Sequence, residues 1–350
     1  MSRRAWARAA AAAAAASLVL HAGAAAPPAA ATTACTRYAS PHGSDAAAGT
    51  RRHPFRTAQR LVDSLRPGQR GCLAHGRYRG EVRISRGGTG RRSRIVLTSR
   101  NPANRATIAG LVYVPAGSNW VSVSHLRLDG RNGAELPSPI VDGDHVTFAH
   151  DNVTNHNANT VCFIVGSVAD TSSGFVAAYD RIHNCGDMRT RRDLAGDPHT
   201  GFYEHAFYVQ NASHFRITQS IMFTISGRCV QLYPDAVDGE VDHNLCDGAG
   251  TGVIVDSASS NVLITRNIFT NAVVQGGIAE GSTFAGSGDV AERNVLWHDH
   301  PPYFQLRGSG FAVRRNRIVP PMFVNRAARD YRLRRGSPAA GYGPARIQPR

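Results

Sequence analysis

The side chains best suited to chemistry stand in two short runs, His205-Ala206-Phe207-Tyr208-Val209-Gln210 and Arg228-Cys229-Val230-Gln231-Leu232-Tyr233, which march in step 23 residues apart. Both runs alternate with period two, the signature of a strand. If Phe207, Val209, Val230, Leu232, Val253 and Val255 point inward, then Tyr208, Gln210, Gln231, Tyr233, Ile254 and Asp256 point outward together. Stacking sets Tyr208 beside Gln231, Tyr233 between Gln210 and Asp256, and His205 in register with Arg228. Aromatic faces, amides and guanidinium groups suit sugars: rings stack, hydroxyls take paired hydrogen bonds, and arginine matches a carboxylate. The insertion 186–204 must rise next to this patch, and it brings Arg189, His199, Tyr203 and Glu204. Gln210, Gln231, Asp235 and Asp256 join these as expected substrate contacts.

The reaction this set suggests is β-elimination on a uronic-acid polysaccharide. It begins with loss of the proton α to a carboxylate, so it needs a neutraliser for the enolate charge, a base and an acid. Arg228 or Arg189 suits the first role, His205 the second, and Tyr208 or Tyr233 the third. Hydrolysis instead needs two carboxyl groups about 5 to 10 Å apart, and Asp235 with Asp256, or Glu204, are the candidates. Calcium would need converging carboxylates, but Asp235, Asp238, Glu240 and Asp242 divide between turn and strand, so no cofactor and no metal site are expected. His243, His298 and His300 lack zinc-site spacing. No glycine-rich phosphate loop opens a helix.

The elements that hold these groups repeat. From residue 120 a unit of about two dozen residues recurs, marked by Leu126, Asp151, Asp180, Ser220, Asn244, Asn267, Asn294 and Asn316 at intervals of 25, 29, 40, 24, 23, 27 and 22. Three residues before each stands an inward position: Val123, Phe148, Ala177, Ile217, Val241, Ile264, Ala291 and Val313. Two residues after each stands another: Leu128, Val153, Ile182, Met222, Cys246, Phe269, Leu296 and Ile318. Short strands, turn residues and no helix per unit predict a parallel β-solenoid. In such a stack, equivalent side chains lie about 4.8 Å apart, so a column of Asn can bond above and below and satisfy the turn backbone. Asp151 and Asp180 belong to that column as turn-formers, not as catalysts.

Composition bounds the rest. The 350 residues carry 40 basic and 25 acidic side chains, a formal charge of +15, and every basic one is Arg. Lysine chemistry is therefore excluded, and an acidic polymer is the natural partner; for an exported solenoid, polyuronate is favoured over nucleic acid. Residues 1–34 read as a signal peptide: Arg3, Arg4 and Arg8, an alanine-rich segment to Leu20, then small residues. Ser2-Arg3-Arg4-Ala5-Trp6 also resembles a twin-arginine signal. Export makes the six cysteines readable as disulfides. Cys35 with Cys72 would tie down the chain end, and Cys162 with Cys185 is the second expected pair. Cys246 falls on an inward position where a buried thiol and a disulfide are equally open, and Cys229 has no preferred partner. Beyond the leader no membrane span is present, and a monomer is expected.

Several segments carry a family likeness. Tyr38 to Asp45, Pro54-Phe55-Arg56-Thr57-Ala58-Gln59, Leu65-Arg66-Pro67-Gly68 and Gly76-Arg77-Tyr78 resemble the opening of secreted right-handed parallel β-helix proteins of pectate-lyase-like fold. Ile182 to Gly186, His205 to Tyr208, Gln231 to Asp235 and Gly250 to Val253 resemble their central coils, and Gly336-Ser337-Pro338-Ala339 their ending. The resemblance implies an all-β, single-stranded β-helix of about ten coils: cap and first coil over 35–80 with a short helix near 54–66, solenoid over 81–325, extended tail over 326–350. It leaves the reaction open, since such solenoids serve lyases, hydrolases, epimerases and non-catalytic surface proteins. Asp197-Pro198-His199 resembles an element of uronan C5-epimerases, but Leu194 stands where those enzymes have Tyr. Calcium-dependent relatives with a lysine base are not matched. The expected activity is lyase-like; a non-catalytic glycan-binding β-helix is the rival, with a glycoside hydrolase or C5-epimerase as further alternatives.

Overall fold

In each unit the chain leaves one strand, turns a left-handed corner and enters the next. The computed structural model describes residues 34–188, 204–306, 308 and 310–349. A representative coil runs Arg216–Thr218, Ile221–Ile225, Arg228–Leu232 and Ala236–Val237, then returns to Glu240–Asp242 directly above its start. Repetition builds three long parallel sheets of 11, 10 and 9 strands, here the first, second and third in chain order, with a small three-stranded sheet beside the third. The result is a right-handed β-solenoid of about nine turns rather than ten. The difference arises at the ends, where Arg37–Ala39 extends only the first sheet. Among the described residues helix is limited to Ala58–Asp63, whose Thr57 side chain accepts from the Arg60 N–H, the single helical residue Met188, and a 3-10 turn at Ala345–Ile347.

The repeat columns hold residue by residue. Val123, Phe148, Ala177, Ile217, Val241, Ile264, Ala291 and Val313 are in register along the first sheet. Inside, Phe163 stacks on Phe207 at 4.8 Å and meets the edge of Phe148 at 5.2 Å. Burial of such side chains contributes about 1.5 to 3 kcal/mol each. Val313 and Ile318 depart from the pattern: they occupy inward columns yet are 41% and 54% exposed, because among the described residues no coil lies over them.

Between the first and second sheets the column of turn residues forms one continuous ladder. The Oδ1 of Asn244, Asn267, Asn294 and Asn316 accepts the backbone N–H of Ser220, Asn244, Asn267 and Asn294, at 2.8 to 2.9 Å. Asp151, Asp180 and the Ser220 hydroxyl serve the coils below in the same way. The residue just before each ladder position is left-handed: His125, His150, Tyr179, Gln219, His243, Arg266, Arg293 and Arg315 have φ between 50° and 62°. None is glycine. Each such backbone costs about 1 to 2 kcal/mol, which the satisfied buried amides of the ladder offset.

Three disulfides close the cysteine inventory. Cys35–Cys72 and Cys162–Cys185 form as expected, with Cα atoms 5.7 and 5.6 Å apart. The third joins Cys229 to Cys246, so Cys246 is no buried thiol. This pairing crosses from the third sheet to the second through the interior, and spacing along the chain gave no hint of it. Three bridges are consistent with an oxidising compartment. No helix among the described residues is long and apolar enough to cross a membrane.

Candidate functional site

The third sheet carries the candidate face. Phe207, Val230, Val253 and Ile278 are in register and buried, and the neighbouring outward column runs Tyr208, Gln231, Ile254 and Ala279. Upstream the same outward column continues through Ile164, Ile140, Tyr113 and Arg83. Tyr208 hydrogen-bonds Gln210 and lies within electrostatic reach of Tyr233, Arg228 and Asp256. Tyr233 is 37% exposed, and Gln231 is buried beneath the face with its Oε1 unpartnered among the described residues. The sequence-predicted cluster of Tyr208, Gln210, Gln231, Tyr233, Asp256 and Arg228 thus assembles on adjacent coils.

His205 sits behind this face. It is only 2% exposed, packs edge-on to the Tyr208 ring at 5.4 Å, and its Nδ1 accepts the Arg228 backbone N–H at 3.2 Å. Burial, then the Arg228 charge, holds its pKa well below the ordinary value. A neutral imidazole that accepts at Nδ1 carries its proton on Nε2. In this geometry His205 is a donor and a positioning group, a different role from the base expected of it. Burial, reinforced by Tyr233, moves the Tyr208 hydroxyl pKa upward, so Tyr208 keeps its proton at neutral pH and is fitted to be an acid.

The carboxylates serve structure. Glu204 is buried, and its Oε2 accepts from the Ser226 hydroxyl at 2.7 Å and from the Asp187 N–H, which pins the start of the insertion to the neighbouring coil. Asp256 Oδ1 accepts from Ser257 N, Thr283 N and Thr283 Oγ1 at 2.8 to 3.1 Å, so it clamps the loop above. Asp235 is exposed in the turn after Tyr233. Asp242 accepts from Arg216 at both oxygens and from Thr218 and His243 at Oδ2, so it is engaged in a structural network. Among the described residues no group of three or more His, Cys, Asp or Glu side chains converges. Arg189, His199 and Tyr203 lie outside the described residues.

Sequence reading missed the upstream end of this face. Tyr113 donates to Asp142 Oδ2 at 2.9 Å, and the Arg83 guanidinium lies 4.4 Å over the Tyr113 ring. The signal was available as alternation at Val112, Tyr113 and Val114, but the irregular spacing of the early coils hid its register with Tyr208.

Stacked parallel strands, one outward polar face and a ladder at one corner define the class: a right-handed parallel β-helix of pectate-lyase-like fold. Among solved structures, the chain is similar to the pectate lyase Pel9A, with 13% identity, a TM-score of 0.55, and coverage of 89% of this chain and 92% of that one. It is also similar to XylC, solved in complex with xylose, at 9% identity and a TM-score of 0.50 over 77% of this chain and 69% of that one. A rhamnogalacturonan lyase aligns at 11% identity and a TM-score of 0.47 over 89% and 95% of the two chains. At such identities the likeness is one of fold. No protein-family model and no curated protein matches the chain.

Proposed function

We propose that this is an extracellular protein that acts on an acidic, uronate-containing polysaccharide laid along the third sheet, by β-elimination. The observation that carries the reading is the assembly of Tyr208, Tyr233, Gln210, Gln231 and Arg228 on one patch of adjacent coils. Arg228 pairs with the uronate carboxylate and takes up the charge that develops when the α-proton leaves. Tyr208, kept protonated, delivers its proton to the departing glycosidic oxygen. With His205 turned donor, the base left on this face is the phenolate of Tyr233, its proton given up to solvent beforehand; it takes the α-proton while Tyr208 loses one to the leaving oxygen, and the pair resets by proton exchange with water. Gln210 fixes the Tyr208 hydroxyl, while His205 supports the Tyr208 ring and, through its Nδ1, the Arg228 backbone. The similarity to a pectate lyase fits the substrate class.

A specific observation favours a second reading, non-catalytic glycan binding: His205, the imidazole beside the face among the described residues, is closed to solvent. Incubation with alginate, pectate and glycosaminoglycans, followed by the absorbance of unsaturated products, separates the two. Elimination predicts rising absorbance on at least one polymer and about a hundredfold or greater loss in Tyr208→Phe, the scale of one general acid. New reducing ends without absorbance would point to hydrolysis. Retention on a polymer column with no product of either kind would mark a binder.

A further inference from the structure

Three coils upstream of Tyr208, the same outward column ends in a group that the proposed reaction does not use. Tyr113, Ile140, Ile164 and Tyr208 are successive register partners, so Tyr113 lies about 14 Å from Tyr208 along the solenoid axis, at the interstrand repeat of about 4.8 Å. The half-buried Ile140 and Ile164 floor the stretch between them with apolar surface. A chain running along the axis crosses both tyrosines.

We propose that Arg83, Tyr113 and Asp142 form a second carbohydrate subsite, which takes a further uronate unit of a polymer bound along the third sheet. The inference rests on the polysaccharide reading and adds to it the direction and minimum length of the ligand. Its basis is preorganisation. Asp142 is 4% exposed, and its Oδ2 fixes the Tyr113 hydroxyl. The fixed ring carries the Arg83 guanidinium over one face, its Cζ 4.4 Å from the ring centroid. Gln59 holds the Arg83 backbone from both sides, accepting from its N–H at 2.7 Å and donating to its carbonyl at 3.1 Å. Arg83 has no carboxylate partner within ion-pair distance among the described residues. Asp170 acts electrostatically on Tyr113 and Asp142, and burial raises the pKa of Asp142, with the Tyr113 hydroxyl and Arg83 acting against the shift. An exposed, stacked guanidinium presents its fork to a planar carboxylate with little ordering left to lose.

Calorimetric titration of the whole protein with trimers and octamers of galacturonate and of mannuronate tests this, in a Tyr208→Phe background so that ligand is not consumed. Arg83→Ala should weaken the octamer about tenfold, the worth of one charged hydrogen-bonded pair, and leave the trimer unchanged. Tyr113→Leu should act in the same direction, while Arg83→Lys should recover only part of the loss. An octamer bound as tightly as before, or a trimer weakened equally, would overturn the subsite while leaving the polysaccharide reading standing. If neither uronate series binds the parent protein, that reading falls and the subsite with it.

Discussion

Replacing Asp180 by Asn should stabilise the protein at neutral and alkaline pH and leave it nearly unchanged in acid. Asp151 and Asp180 are the two acidic steps of the ladder, 1% and 0% exposed. Each uses Oδ1 to accept a backbone N–H at 2.7 Å, from Leu126 and Asp151 respectively, and each has an Oδ2 with no partner among the described residues. At the same place in a later coil, Asn244 Nδ2 donates to Ile217 O at 2.8 Å and to Asn267 Oδ1 at 3.1 Å. A protonated carboxyl can imitate that donor; an ionised one cannot. Burial pushes both groups up, Asp180 to about 7, and the Asp180 charge pushes Asp151 further; backbone N–H groups and Arg105 act against the shift in both, and Arg346 acts against it in Asp180. The folded-state value stands above the unfolded 3.8, so the native chain binds the proton more tightly. Stability is full below pH 3.8 and falls as pH rises to about 7, then levels off. The distance from 3.8 to about 7 corresponds to about 4 kcal/mol. For a chain of this size that is a gain of up to about 8 °C in the Tm of Asp180→Asn at pH 8, and under about 2 °C at pH 3.5. Thermal unfolding followed by circular dichroism at the two pH values reads this directly. An equal gain at both, or a loss at pH 8, would refute the protonated-ladder argument.

Two further substitutions probe the frame. Asn267→Ala strips partners from Asn244 N, Asn244 Nδ2 and Val241 O, and should cost about 3 to 5 kcal/mol in urea unfolding; a cost below about 1 kcal/mol would mean that the ladder contributes little. Replacing Cys229 and Cys246 together by Ala opens a loop of 17 residues and should lower stability by about 3 kcal/mol; unchanged unfolding would contradict a formed bridge in the native protein.

Much of the frame was legible because a solenoid turns sequence periodicity into position. Once Phe207, Val230 and Val253 are recognised as equivalent, the outward company of Tyr208, Gln231 and Ile254 follows from alternation alone, and the register is as subtraction predicts. The ladder was legible for the same reason, since only short polar side chains can bond the coil beneath at that spacing. Alternation could not tell what covers an outward residue. Asp247 is fully buried because the antiparallel pair Phe323–Asn325 and Asp330–Leu333 folds back, bringing Arg326, Arg329 and Tyr331 onto it from about 80 residues away. The burial of His205 under Tyr208, which changes the nitrogen that bears its proton, is a fact of this kind.

By itself, then, the order of residues determined the parallel β-helix, its columns and the polar patch at Tyr208, Gln231 and Tyr233, because each depends on a local period and a repeat length. Tertiary structure alone decided the Cys229–Cys246 bridge, the donor state of His205, the suppressed ionisation of Asp151 and Asp180, and the meeting of Arg83 with Tyr113. These depend on desolvation and on contacts between coils and tails, whose strength is set by distances that no one-dimensional spacing contains.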